Sequence, residues 1–267
     1  MAGTTPADEI LLDRSANGVA TLTLNRPKVK NAIGGSMWEE LRRVFHEVGH
    51  SASDRVLVVT GAGGDFCSGA DLSGVRAEVE EEPRHPLDAM HPVNAAAIAL
   101  HDVPKPTLAK VNGDAVGAGM NLALGCDLIV AGESARFSEI FVRRALSVDF
   151  GGTWLLPRLV GLHKAKELAF FGDILSAKEA AELGLVNRVV PDAELDDFVA
   201  DWANRLAEGP PLALQQSKRM LSNSLSLSLS EALAWEASAQ TVNLESKDTR
   251  EGVRAFLEKR DPIFRGR

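Results

Sequence analysis

Residues 145–157 read ALSVDFGGTWLLP and hold one carboxylate, Asp149, in an otherwise apolar, glycine-broken run. Solvated acids usually keep polar company. An acid in an apolar cleft has its pKa raised by desolvation, which makes it a better base, and such groups tend to be functional. A structural reading competes: Asp is a common helix N-cap, and GGTWLLP follows it directly. Two glycine-flanked segments add a second possibility, DFCSGADL (65–72) and VNGDAVGAGMNLALGCD (111–127). Glycine lets a main chain turn sharply and approach a ligand closely. Helix starts leave N–H groups unpaired. Two such N–H groups aimed at one oxygen make an oxyanion hole for acyl chemistry. Two tight turns in a closely packed sheet protein would leave the same pattern.

Other motifs carry less. HEVGH (46–50) matches the HExxH zinc signature, with His46 and His50 as ligands and Glu47 as base. The following SASDRV supplies no third ligand, and the segment also reads as a crossover helix with a polar outer face, so no metal is expected. GAGMNL (117–122) nearly matches a dinucleotide fingerprint, but Leu122 stands at the third glycine's place and no GK[ST] occurs, which disfavours a nicotinamide cofactor. Cys67 reads as a small buried thiol rather than a nucleophile.

The elements that must position these residues follow from periodicity. GVATLTL (18–24) alternates as a half-buried strand, and RVLVVTG (55–61) is a buried strand. Between them Met37, Leu41, Val44, Phe45 and Val48 form one helical stripe, with Ser36 and Glu39 spaced as a capping box. VNAAAIALHD reads as helix, PTLAKVNG and DLIVAG as strands, and GAGMNLALGCD as a helix starting straight from glycines. The acidic, proline-broken stretch 78–92 reads as a mobile surface segment. Later, Ser176/Glu179, Ser228/Glu231 and Asp248/Glu251 mark helix starts, and Gly184 and Gly209 mark stops. Strands alternating with helices to about residue 190, then helices alone, predict an α/β core with a helical tail.

Composition bounds the rest. With 45% hydrophobic and 25% charged residues the chain is of ordinary globular type. A formal charge of −8 disfavours nucleic acid as a partner. No apolar run approaches a membrane span, MAGTTPADEI lacks the pattern of a secretory signal, and Cys67 and Cys126 form no CxxC. A cytoplasmic location is the expectation.

LTLNRPKVKNAI, DFCSGADL, KPTLAKVNGDAVGAGMNLALGCDLIVAGESARF, GGTWLLPRLVG, LSAKEAAELGLVNRVVP and REGVRAFLEKRDPIF run through nearly the whole chain. Together they resemble the enoyl-CoA hydratase/isomerase (crotonase) family. The resemblance implies a crotonase-like spiral of ββα turns as an acyl-CoA-binding core, residues 1–210, and a helical C-terminal assembly region, 211–267. It further implies a homotrimer or homohexamer, and acyl-CoA substrates in which coenzyme A enters as part of the substrate, with no separate cofactor. The thioester oxygen would be held by the amides of Ala70, after Gly69, and Ala118, after Gly117. Lys28, Val29 and Lys30 would border the CoA nucleotide, Asp71 and Leu72 would line the site, and Lys259 would reach CoA phosphate.

The acids depart from the hydratase pattern. Family hydratases carry glutamates where this chain has Asn121 and Phe141, whereas some relatives, double-bond isomerases among them, carry an aspartate at Asp149. One carboxylate suffices for a 1,3-proton shift, so the expected activity is an enoyl-CoA isomerase with Asp149 as shuttle. Glu139, two residues before Phe141, is a possible accessory acid. A hydratase using Glu139 or an Asn121-held water, and a catalytically silent acyl-CoA binder, are the alternatives. On the metal question the expected outcome is turnover that survives a strong chelator; activity lost to chelation and restored by zinc would reinstate the HEVGH reading.

Overall fold

The computed structural model of the protein describes residues 9–73 and 86–267. Strands β1 (Ile10–Arg14), β2 (Val19–Leu24) and β3 (Val56–Gly61) enclose helix α1 (Gly35–His50); α2 (Pro86–His101) leads to β4 (Thr107–Val111) and β5 (Asp114–Val116). Helix α3 (Ala118–Leu124), β6 (Leu128–Gly132), β7 (Arg136–Ser138) and α4 (Gly152–Phe171) follow. Then come β8 (Leu175–Ser176), α5 (Ala177–Glu182), β9 (Arg188–Val190) and α6 (Leu195–Glu208), and finally α7 (Pro211–Asn223), α8 (Leu229–Glu245) and α9 (Lys247–Glu258).

The strands form a six-stranded sheet, β1-β2-β3-β4-β6-β9, and a three-stranded sheet, β5-β7-β8. Within the larger sheet β1 runs antiparallel to β2 and the remaining pairs are parallel. Its central strands are buried on both faces, as their continuous apolar runs require. Each turn of the spiral repeats one device. A first strand (β4, β6) joins the large sheet, a second (β5, β7) joins the small one, and a helix (α3, α4) returns the chain. Isolated bridges Cys67↔Ala115 and Ile33↔Ala70 carry the small-sheet side back to the preceding turns. This is the expected crotonase-like spiral of ββα turns.

Helix α1 buries the whole predicted stripe, Met37, Leu41, Val44, Phe45 and Val48, with Trp38 beside it. Its start differs from expectation. The N-cap is Gly34, without a side-chain cap, so Ser36 and Glu39 make no capping box; Met37 N–H closes the first turn on the Gly34 carbonyl at 3.0 Å. The Ser176/Glu179 and Ser228/Glu231 boxes form as expected. The last helix instead caps on Ser246, which accepts from Thr249 N–H, freeing the Asp248 carboxylate to hold the Arg265 and Gly266 amides at 2.8 and 2.6 Å.

Helix α2 starts earlier than the pattern suggested and takes in residues 86–92 of the stretch expected to be mobile surface. The burial of Val93, Ala96 and Leu100 in the core supplies what local propensity lacks. The rest of that stretch, 78–85, and most of the N-terminal segment lie outside the described residues. No helix among the described residues is long and apolar enough to cross a membrane. Truncating Phe45, fully buried between α1 and the large sheet, should cost about 3–5 kcal/mol of stability; denaturant unfolding of Phe45→Ala checks this.

Candidate active site

The site forms where two turns of the spiral meet. Ile33 N–H donates to the Gly69 carbonyl at 2.8 Å, and Asp71 N–H donates to the Ile33 carbonyl at 2.9 Å. Alternation along an extended chain therefore turns the Ala70 N–H to the opposite edge. There the chain meets β5 and α3: Val116 N–H donates to the Cys67 carbonyl at 2.9 Å. Gly119 sits so close to Cys67 that a Cβ on it would lie 2.2 Å from the Cys67 carbonyl oxygen, and a Cβ on Gly69 would lie 3.4 Å from Ala118 N. Gly69 also has φ +95°, a conformation L side chains rarely adopt.

Ala118 is the first residue of α3, so its N–H has no partner within the helix. Among the described residues neither the Ala70 nor the Ala118 N–H donates a hydrogen bond. Two free amides on adjoining segments can together stabilise a developing oxyanion.

Asn121 follows on α3, fully buried. Its Nδ2 donates to the Asp149 carbonyl at 2.9 Å and to Glu139 Oε2 at 3.4 Å. Gly152 packs directly on this amide: a Cβ there would lie 2.4 Å from Nδ2. Phe150 (φ +47°) and Gly151 (φ +79°) form a left-handed reversal, and the Phe150 ring lies 5.5 Å from Trp38 in the core. This bend turns Asp149 inward. Its side chain does not cap α4, whose N-cap is Gly151; the backbone carbonyl of Asp149 accepts from Gly152 N–H instead, at 3.0 Å. Asp149 Oδ1 is buried and has no hydrogen-bond partner among the described residues. Burial alone raises its carboxyl to about 6.

Glu139 is the residue the sequence underweighted. It is 1% exposed, at the end of β7. Desolvation first, then the neighbouring Asp149 charge, push its carboxyl up to about 8 against the opposing Asn121 hydrogen bond. Its Oε1 and Asn121 Oδ1 are also buried and unpartnered. The only hint in the sequence was spacing, two residues before Phe141. Phe141 is buried and its ring backs Gly117, 3.6 Å from where a Cβ would stand.

The remaining expected residues divide. The Pro27–Val29 turn carries exposed Lys28 and Val29, and the Val29 and Lys30 carbonyls accept from Ser68 at 3.2 and 2.9 Å, immediately before Gly69. The Lys30 ammonium, expected to face an anionic ligand, is instead paired with Asp114 at 2.7 Å and Asp65 at 3.3 Å. Asp71, placed in the substrate-binding set but read at that position as a structural hydrogen bonder first, accepts with its carboxylate from Arg26 at 2.9 Å and from the Ser73 hydroxyl at 2.6 Å. Leu72 is exposed. Lys259 caps α9 in a left-handed conformation, exposed and joined to none of these residues. Cys67 is buried, its thiol pushed up to about 12 by desolvation. In HEVGH, Glu47 is bound by Arg14 at 2.7 Å and Arg43 at 2.6 Å, which takes the carboxylate a zinc hydrolase would need.

Comparison with known proteins bears on the family and the fold. The chain matches the enoyl-CoA hydratase/isomerase family over residues 14–267. It is 42% identical over 258 residues to a Rhodobacter capsulatus protein named "Probable enoyl-CoA hydratase", covering 94% of this chain and 96% of that one. It is 38% identical to the 1,2-epoxyphenylacetyl-CoA isomerase of Escherichia coli, covering 97% and 99%. A crystal structure of enoyl-CoA hydratase from Bacillus anthracis superposes with a TM-score of 0.91 at 34% identity, covering 97% and 100%. Fold, paired glycine-bound segments and sequence converge: the chain belongs to the enoyl-CoA hydratase/isomerase family and is an acyl-CoA enzyme of the hydratase or isomerase kind.

Proposed function

We propose that the protein is an enoyl-CoA isomerase that shifts a carbon–carbon double bond by a 1,3-proton transfer. The observation that carries this reading is the Asp149 carboxyl, turned inward with one oxygen buried and unpartnered. Raised to about 6, it is still mostly ionised at neutral pH yet basic enough to take a proton from carbon. Asp149 removes a proton from the carbon next to the thioester, or from the carbon beyond the double bond, and returns it at the other end. The dienolate charge rests meanwhile on the Ala70 and Ala118 amides. Phe141 and Asn121, standing where hydratases carry glutamates, favour this reading over water addition, and the isomerase named among the relatives is in keeping with it. Lys28, Val29 and Leu72 form the exposed rim on which the CoA portion would lie.

One observation favours a second reading. Glu139, buried beside Asn121 and pushed up to about 8, is protonated at neutral pH and so could act as an acid for hydration. Incubation with 2-enoyl-CoA and 3-enoyl-CoA esters of several chain lengths separates the two: a mass-neutral shift supports the isomerase, a gain of water the hydratase. Binding without change would leave a silent acyl-CoA binder.

Helices α7–α9, the turn between α7 and α8, and the tail expose Leu221, Leu225, Leu229, Phe256, Leu257 and Ile263, which supports their use in assembly as a trimer or hexamer. Light scattering on the purified protein should give three or six times the 28.6 kDa chain mass.

Asp149→Asn should lower turnover by about 10²–10⁴-fold while leaving acyl-CoA affinity within a few-fold; unchanged turnover rejects the shuttle. The same variant should be more stable than the parent at neutral pH. A carboxyl raised in the folded state contributes its stability below its ordinary value near 4, and that contribution is lost as pH rises through about 6. Thermal melts of the variant and parent against pH read this directly.

A further inference from the structure

Three acceptor oxygens of one pocket, Asn121 Oδ1, Glu139 Oε1 and Asp149 Oδ1, are buried without a partner among the described residues. The Asn121 amide cannot serve them, since both its hydrogens already go to Asp149 O and Glu139 Oε2. Among the described residues no cation acts on either carboxyl, so two ionised carboxylates here would add a second uncompensated charge. Among the described residues, Asp149 is the one ionisable group whose charge Glu139 feels; Ser138, next to it on β7, gives its hydroxyl to the Gly172 carbonyl at 3.1 Å. A proton on Glu139 Oε1 removes that charge and turns an orphan acceptor into a donor in the same pocket.

We propose that Glu139 is the resident proton holder of this site: a positioning residue, kept neutral through the working range, that holds the Asn121 amide against the backbone carbonyl of Asp149 and silences the enzyme when it ionises. The inference rests on the reading of Asp149 as the shuttle. Glu139 does not exchange protons with substrate in this scheme. An anion at Glu139 would sit in an apolar pocket with one 3.4 Å hydrogen bond from Asn121, so ionisation forces the pocket to open toward water and loosens the Asn121 bond that places Asp149. Its burial to about 8 in pKa puts that loss on the alkaline side of neutrality.

The test compares pH profiles of kcat for the parent and Glu139→Gln, which keeps a neutral group of nearly the same size. The parent should lose activity about tenfold per pH unit above an apparent pKa near 8. Glu139→Gln, whatever its level of turnover at neutral pH, should show no such alkaline limb. A limb that persists unchanged in Glu139→Gln overturns the proposal. A second readout does not depend on turnover. In the parent labelled with 13C at glutamate carboxyls, one carboxyl carbon should titrate well above the others, and its midpoint should fall in Asp149→Asn as the neighbouring charge is removed. All glutamates titrating in the ordinary range, or a midpoint unmoved in Asp149→Asn, overturns it. Full activity of Asp149→Asn with the high-titrating glutamate intact would instead reject the shuttle reading and leave the buried proton in place.

Discussion

One close backbone approach sets the rest of this molecule. The chain at Cys67–Ala70 and the chain at Val116–Gly119 lie nearer than any Cβ on Gly119 would allow, joined by the Val116 N–H bond to the Cys67 carbonyl. The spiral makes this contact: successive turns stack their second strands into a small sheet, and the approach occurs where that sheet gives way to α3. The Ala70 and Ala118 amides are left facing out of it because the ladder on one side uses the flanking residues and the helix on the other has not yet begun. Their geometry is a property of the main chain, and side chains at those positions need only be small.

Around that frame the protein accepts local costs of the kind that functional sites concentrate. Phe150 is held left-handed without being glycine, with its ring against Trp38. Two carboxyl groups share one apolar pocket, each with an oxygen unpartnered among the described residues, and the amide of Asn121 links the Glu139 carboxyl to the backbone carbonyl of Asp149. These features are unfavourable taken singly, and the large core behind them supplies the stability that lets them persist. By contrast the charges at the rim are mutually satisfied. Lys30, Asp65, Asp114 and Arg136 form one network, and Arg26 holds Asp71. That network fixes the Pro27–Lys30 turn beside Gly69 instead of presenting free cations.

The C-terminal helices are tied to the core by few but definite links. Arg55 donates to the carbonyls of Ala207, Gly209 and Phe264 at 3.2 Å each, joining the end of α6 and the tail. Lys218 pairs with Asp127 at 2.8 Å and donates to the Lys105 carbonyl. Beyond these contacts much of the apolar surface of α7–α9 stays exposed, in contrast to the saturated core of the spiral.

Periodicity and turn chemistry alone determined a good part of this protein. The stripe on α1, the buried β3, the serine–glutamate boxes at α5 and α8, and the α/β-then-helical order are all local patterns of hydrophobicity and capping. The paired glycine segments and the isolated Asp149 were legible for the same reason, since each breaks its neighbourhood's composition. What the chain did not disclose was every pairing made at long range. The edge strand β1, the partners that claim Lys30 and Asp71, and the Gly34 start of α1 depend on residues distant in sequence. Glu139 is the sharpest case: nothing adjacent marks it as buried. Only the folding of β7 against α3 withdraws it from water and sets it beside Asn121 and Asp149, and desolvation is a property of that assembled surround rather than of the residue itself.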